Sequence, residues 1–209
     1  MRLYEHPASG NCLKCRVLLR QLGLPFEAVL VDLFRGHARA EPHLARNPDG
    51  RVPVLELDDG TWIPESGAIL LYLADGTSLL PADRLARARV HQWLFFEQNQ
   101  IEAQLASARF MAITGRAAAQ PEVFAAKVAA ARRALESLDR GLADGRPFVA
   151  GQDYTVADIA LHGYVHCGAE GGADPAEHPH VGAWLRRVES TPGFENDLAP
   201  IPAHAMVAT

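Results

Sequence analysis

The N-terminal part of the chain switches repeatedly between two hydrophobic periods. "RLYEH" (2–6) alternates as a short strand, residues 11–22 follow the helical period up to Gly23, and "PFEAVLVDL" (25–33) returns to strand character. An irregular stretch with a short helix near 40–46 comes next. "VPVLEL" and "TWI" then flank "DDG", where Asp59-Gly60 suits a hairpin turn, and a helix runs from Ser66 to Asp75. From Pro81 the alternation is gone. Long Ala- and Leu-rich amphipathic stretches predict helices over 83–114, 121–143, 155–168 and 177–190. Pro121 stands where one helix begins, Gly145 and Pro147 where it has ended, and Thr155 to Asp158 form a T-x-x-D capping box.

The order βαβ, a helical excursion, then ββα joins parallel strands to a terminal hairpin and helix, the thioredoxin-like arrangement. The expected fold class is therefore α/β plus all-α. It comprises a thioredoxin-like domain over 1–76 and an all-helical domain over 84–195, joined by "DGTSLLPAD", with "APIPAHAMVAT" as a surface tail without regular structure. Composition removes several function classes. A net charge of −5 with no dense basic run argues against nucleic acid as a partner. No apolar run reaches the roughly 18 residues of a membrane span, and "MRLYEH" lacks the features of a secretory signal. Three cysteines, Cys12, Cys15 and Cys167, do not suit a disulfide framework, so a cytoplasmic protein is expected.

"PASGN" after the first strand, "LGLPFE" after the first helix, "NPDGRVPVLELDDG", "PESGAILLYLA" and "FVAGQDYTVADIAL" follow one another over nearly the whole chain. In these motifs and their spacing the chain resembles the cytosolic glutathione transferases. With "SGN" after strand one and "FFEQN" in the second domain it looks like the bacterial serine-type group. The resemblance implies glutathione as co-substrate, no metal, a homodimer, a detoxifying role, and transfer of glutathione sulfur to a small hydrophobic electrophile. Two other functions stay open: a glutathione-dependent disulfide reductase, and a non-catalytic module that mediates protein assembly.

The C-x-x-C of Cys12 and Cys15 suggests redox chemistry, but two readings oppose it. In the glutaredoxin pattern, which shares the first-domain fold, the nucleophilic cysteine lies 14 residues before the glycine that ends the first helix, and here that position is Ser9. Independently, Cys12, Cys15, Leu19 and Leu22 share one helical stripe while Lys14, Arg16, Arg20 and Gln21 fall elsewhere, so both thiols are expected to be buried filler. The resemblance then implies that Ser9 serves glutathione's own thiol. Lowering a thiol pKa by about two units takes about 2.7 kcal/mol of preferential thiolate stabilisation. A hydrogen bond to a charged group supplies about 1.5–3 kcal/mol and a helix N-terminus about 0.3–1 more. Ser9 is the leading donor and Asn11 the second; the bland alternative for both is ordinary helix capping. Tyr4, which some relatives' pattern would favour, sits one residue off that register, on the opposite strand face.

The resemblance also implies the holders of the tripeptide: Val52 pairs its backbone with the cysteinyl unit as an added strand, Pro53 is cis, and Arg51 meets the glycyl carboxylate, with His37 or Arg39 assisting. Ser66, opening a helix, suits the γ-glutamyl carboxylate, and Glu65 the ammonium. The electrophile is expected near His6, Ala8, Phe96, Arg109, Phe110, Tyr164 and His166. His162, His166 and Glu170 recur every four residues, but no cysteine or carboxylate cluster supports a metal there.

Overall fold

The structure, a computed structural model, describes residues 1–206. The chain divides into two compact units. The first is Met1–Asp75 with Pro192–Pro200, the second Gly76–Thr191 with the described residues from Ile201 on.

The first unit contains β1 (Arg2–Glu5), α1 (Gly10–Gln21), β2 (Glu27–Leu30), a 3₁₀ turn (His37–Arg39), α2 (Glu41–Leu44), β3 (Val54–Glu56), β4 (Trp62–Pro64) and α3 (Ser66–Ala74). The strands form a four-stranded mixed sheet in the order β2-β1-β3-β4. β1 runs parallel to β2, in register from Arg2–Glu27 to Glu5–Leu30, and antiparallel to β3, while β3 and β4 form the hairpin. This is the thioredoxin-like order the period switches predict. A core of Tyr4, Cys12, Val31, Ala38, Val52 and Val54 packs between strand and helix.

One expectation about α1 fails. Lys14 and Arg16 are as buried as the cysteine stripe, and so are Leu13, Val17 and Leu18. Arg16 is buried because carboxylates meet it: Nη1 bonds Glu5, and Nε donates to Asp197 Oδ1 at 2.9 Å. Arg20 donates to Asp197 Oδ2 at 2.6 Å. Asp197 lies in the returning C-terminal segment, and Ala199 N donates to Pro7 O at 3.1 Å. The tail therefore is not a loose surface strand: its start completes the first unit, Ala203–Ala205 form a 3₁₀ turn, and Ala205 is buried. Residues 207–209 of the tail lie outside the described residues.

The second unit is helical. α4 (Arg84–Phe96), a wider i→i+5 helical stretch (Glu97–Ala106) and α5 (Ser107–Ile113) run on without a break, where the period suggests one uniform helix. A 3₁₀ turn (Arg116–Ala119), α6 (Pro121–Leu142), α7 (Val156–Val165) and α8 (Pro179–Glu189) follow. Thr155 and Asp158 form the reciprocal capping box at the start of α7. The core holds Val90, Ile101, Leu105, Leu135, Leu138, Ile159, Leu161 and Trp184. Among the described residues no helix is long and apolar enough to cross a membrane.

Candidate active site

Ser9 leaves the β1 turn in extended conformation (φ −87°, ψ 122°) and caps α1, its Oγ accepting from Cys12 N at 3.4 Å. A hydroxyl that accepts a capping bond still carries its own O–H donor. Capping and thiolate donation are therefore compatible in one side chain. Two residues on, Asn11 Oδ1 accepts from Lys14 Nζ at 2.6 Å and from Ser66 Oγ at 3.4 Å. The second bond ties the first turn of α1 to the first turn of α3, two helix ends with unsatisfied amides that favour an anion. Glu65, just before Ser66, has φ 72° and ψ 116°, and among the described residues it is the one non-glycine with positive φ. A backbone of this kind costs about 1–3 kcal/mol and persists only where its surroundings hold it.

Val52 precedes the paired span of β3 and is joined to Pro53 by a cis peptide, as the resemblance implies. Two buried side chains that sequence reasoning did not single out hold the carbonyl of Arg51: His43 Nε2 donates at 2.8 Å and Asn47 Nδ2 at 3.1 Å. Asn47 opens the motif "NPDG", a signal of position but not of role; an isolated His43 offers no sequence signal. Gly50, at φ 59°, passes so close to the 37–39 turn that a Cβ would sit 2.7 Å from Ala38 O and 3.0 Å from Arg39 Cδ. That approach draws the His37–Arg39 turn against the loop carrying Arg51. The side chains of His37, Arg39 and Arg51 are exposed.

Both thiols of the C-x-x-C are fully buried, and all three cysteines are free. Cys12 Sγ accepts from His6 N at 3.5 Å. Burial pushes the Cys12 thiol up to about 12, the Cys15 thiol well above its ordinary value, and the Cys167 thiol up to about 11. A reactive thiolate needs access and a positive neighbourhood, and these thiols have neither access nor a lowered pKa. Tyr4 is engaged elsewhere, its hydroxyl donating to Glu56 Oε2 at 2.6 Å.

Two family models cover most of the chain: the glutathione S-transferase N-terminal domain matches residues 3–78 and the C-terminal domain residues 100–192. The chain belongs to the glutathione S-transferase family. It is 33% identical to glutathione S-transferase 3 of Zea mays, over 97% of this chain and 95% of that protein. It is also 34% identical to a maleylacetoacetate isomerase of Rhizobium meliloti, over 92% and 93%. A glutathione S-transferase crystal structure from Pseudomonas fluorescens is 40% identical with a TM-score of 0.91, over 95% and 98% of the two chains. A glutathione transferase from Burkholderia graminis, solved with two glutathione molecules bound per subunit, is 30% identical with a TM-score of 0.80, over 92% and 84%.

In this transferase-family chain the electrophile candidates fall in both units. In the first, His6 and Ala8 are buried, His6 Nδ1 accepting from Ala8 N at 3.2 Å. In the second, Phe96 packs edge-on against Trp93 with centroids 5.3 Å apart, and Phe110 lies under the Arg116 guanidinium at 4.9 Å. Arg109 is buried and bonds Glu170 at 2.8 Å. A Cβ on Gly171 would come within 2.8 Å of Arg109 N, so only glycine lets the turn that carries Glu170 come this close. Tyr164 is half-buried, and its carbonyl accepts from Cys167 Sγ at 3.4 Å.

His166 stacks on His162 with centroids 4.5 Å apart, and its Nδ1 bonds the His162 carbonyl at 2.6 Å. His162 Nε2 is 3.1 Å from Glu189 Oε1. Among the described residues no group of three His, Cys, Asp or Glu is placed to hold a metal. Burial, reinforced by His162, pushes His166 down to about 4 from an ordinary 6.5. Between those values the unfolded chain binds a proton that the folded chain refuses, so stability falls as pH falls through this window. His166→Gln is expected to flatten that dependence, measured as urea midpoints from pH 4 to 6.5.

Proposed function

We propose that the protein is a serine-type glutathione transferase that ionises glutathione at Ser9, with Asn11 as second donor, and delivers the thiolate to a small electrophile. The observation that carries this reading is the junction of α1 and α3. There Ser9, Asn11 and Ser66 bring hydroxyl and amide groups to two adjacent helix N-termini, while both cysteines of the motif are shut in the core. In this reading Val52 offers its backbone to the cysteinyl unit, Ser66 takes the γ-glutamyl carboxylate and Glu65 the ammonium. Arg51, with His37, takes the glycyl carboxylate, and Pro53 directs the edge. The homodimer and a detoxifying role in the cytoplasm belong to the same reading.

A second reading has a specific observation behind it, the isomerase among the relatives. The common step is addition of thiolate to an electron-poor carbon. If the carbon–sulfur bond is retained, either with a proton taken up at an activated double bond or with halide ion expelled from an aromatic halide, the product is a conjugate and glutathione is consumed. If the bond breaks after rotation about the former double bond, the electrophile leaves as its geometric isomer and glutathione is returned. The test compares an aromatic halide, a cis-configured unsaturated diketone and a model disulfide while free glutathione is followed. Consumption equal to product formed with the halide supports conjugation; turnover without consumption supports isomerisation. Cys12→Ser is expected to leave halide and disulfide turnover unchanged, and loss of disulfide turnover alone would instead assign that thiol a redox role.

A further inference from the structure

Asn11 carries a planar amide with oxygen on one edge and nitrogen on the other, and half a turn about one bond exchanges the two. Which edge faces which way is decided by its neighbours. Lys14, one turn further along α1, is a neighbour with a clear preference. An ammonium has three donors and no acceptor, so the amide atom 2.6 Å from Lys14 Nζ must be the oxygen. Ser66 Oγ, at 3.4 Å on the same edge, both donates and accepts, so it would accommodate either orientation. Lys14 is 1% exposed, a burial that lysine rarely shows unless its charge is held.

We infer that Lys14 is a positioning residue for thiol activation: it holds the Asn11 oxygen on the Ser66 side and thereby turns the N–H edge of the amide toward the bound thiolate. The inference rests on the reading of Ser9 and Asn11 as thiolate donors. Its chemistry is asymmetric. A nitrogen edge donates to sulfur, whereas an oxygen edge would set acceptor against anion, so a reversed amide is worse than a missing one.

The test titrates the ultraviolet absorbance of the glutathione thiolate bound to wild-type protein and to Lys14→Met, Asn11→Ala, the double variant and Ser9→Ala. Lys14→Met is expected to raise the bound thiol pKa by about one unit, a tenfold smaller thiolate-to-thiol ratio well below the pKa, with KM for glutathione changed by less than about twofold. Asn11→Ala should raise it comparably, and the double variant no further than Asn11→Ala alone, because one residue acts through the other. A Lys14→Met shift that persists undiminished on top of Asn11→Ala would overturn the inference, as would no shift in Lys14→Met where Ser9→Ala and Asn11→Ala both shift. If neither Ser9→Ala nor Asn11→Ala moves the thiol, the activation reading itself fails and takes the inference with it. Asn11→Asp gives an answer even if Lys14→Met does not fold. It keeps an acceptor for Lys14 and Ser66 but has no N–H, so it must raise the thiol pKa at least as much as Asn11→Ala; an unchanged value would refute the role of the amide edge.

Discussion

Ser9→Ala is expected to raise the pKa of bound glutathione by about one to two units, the equivalent of removing one hydrogen bond to a charged group at about 1.5–3 kcal/mol. At neutral pH kcat/KM for the electrophile should fall about ten- to a hundredfold. KM for glutathione should change little, because in the proposed function the tripeptide's carboxylates and backbone are held by other residues. The loss should shrink as pH rises past the new thiol pKa, where hydroxide does what the serine no longer does. A pH–rate profile of unchanged shape and position would remove Ser9 from the chemistry and leave it as the helix cap that the structure also shows. The cap contributes about 1 kcal/mol to stability. A melting measurement on the same variant therefore separates the two roles, since a loss of cap lowers the melting temperature without moving the titration.

The largest stability effect is expected from Asp158→Ala. This carboxylate is wholly buried, and its two oxygens accept four bonds: Oδ1 from Val149 N at 3.0 Å and Trp184 Nε1 at 2.9 Å, Oδ2 from Thr155 N at 3.0 Å and Thr155 Oγ at 3.2 Å. It thus joins the loop before α7, the cap of α7 and the centre of α8. Burial by itself raises the Asp158 carboxyl above its ordinary pKa, the sign that desolvation works against the charge. Removing the carboxylate relieves that cost but strands four donors in the core, each at about 1–3 kcal/mol. The net loss should be about 3–5 kcal/mol, the range for breaking a buried charged network by removing one partner. Urea unfolding measures it. Asp158→Asn, which keeps one accepting oxygen, should fall between wild type and Asp158→Ala; a loss below about 1 kcal/mol for Asp158→Ala would mean water or rearrangement replaces the carboxylate.

What could be read in the sequence was local. The switch of period from two to 3.6 marks each strand and helix of the first unit, and Thr155 with Asp158 announces its helix within four residues. Ser9 and Ser66 could be placed at helix starts, while their role toward a ligand came only from the resemblance. What could not be read was distant or depended on a partner. Periodicity counts Lys14 and Arg16 as polar and places them away from the buried stripe. Arg16 is buried only because Glu5 on a strand and Asp197, 181 residues on, both meet it. Lys14 escapes in a related way: it meets the amide oxygen of Asn11, a residue that reads as a cap. His43 and Asn47 have no periodic signature at all, since their contribution is to one backbone carbonyl. The widened helical stretch at Glu97–Ala106 leaves the apolar pattern nearly intact, and it reads as ordinary helix.

The returning segment Pro192–Pro200 sets an order of events in the making of the protein. Glu5 and Arg16 are made before Asp197, which follows Arg16 by 181 residues, so the nascent first unit has only part of its ion cluster until that segment is made. Arg20 lacks Asp197 for the same period, and Pro7 the amide of Ala199. A fragment cut after Asp75 is therefore not the first unit but the first unit with a strap removed. The final lock on the turn that presents Ser9 closes only once Pro192–Pro200 has been made.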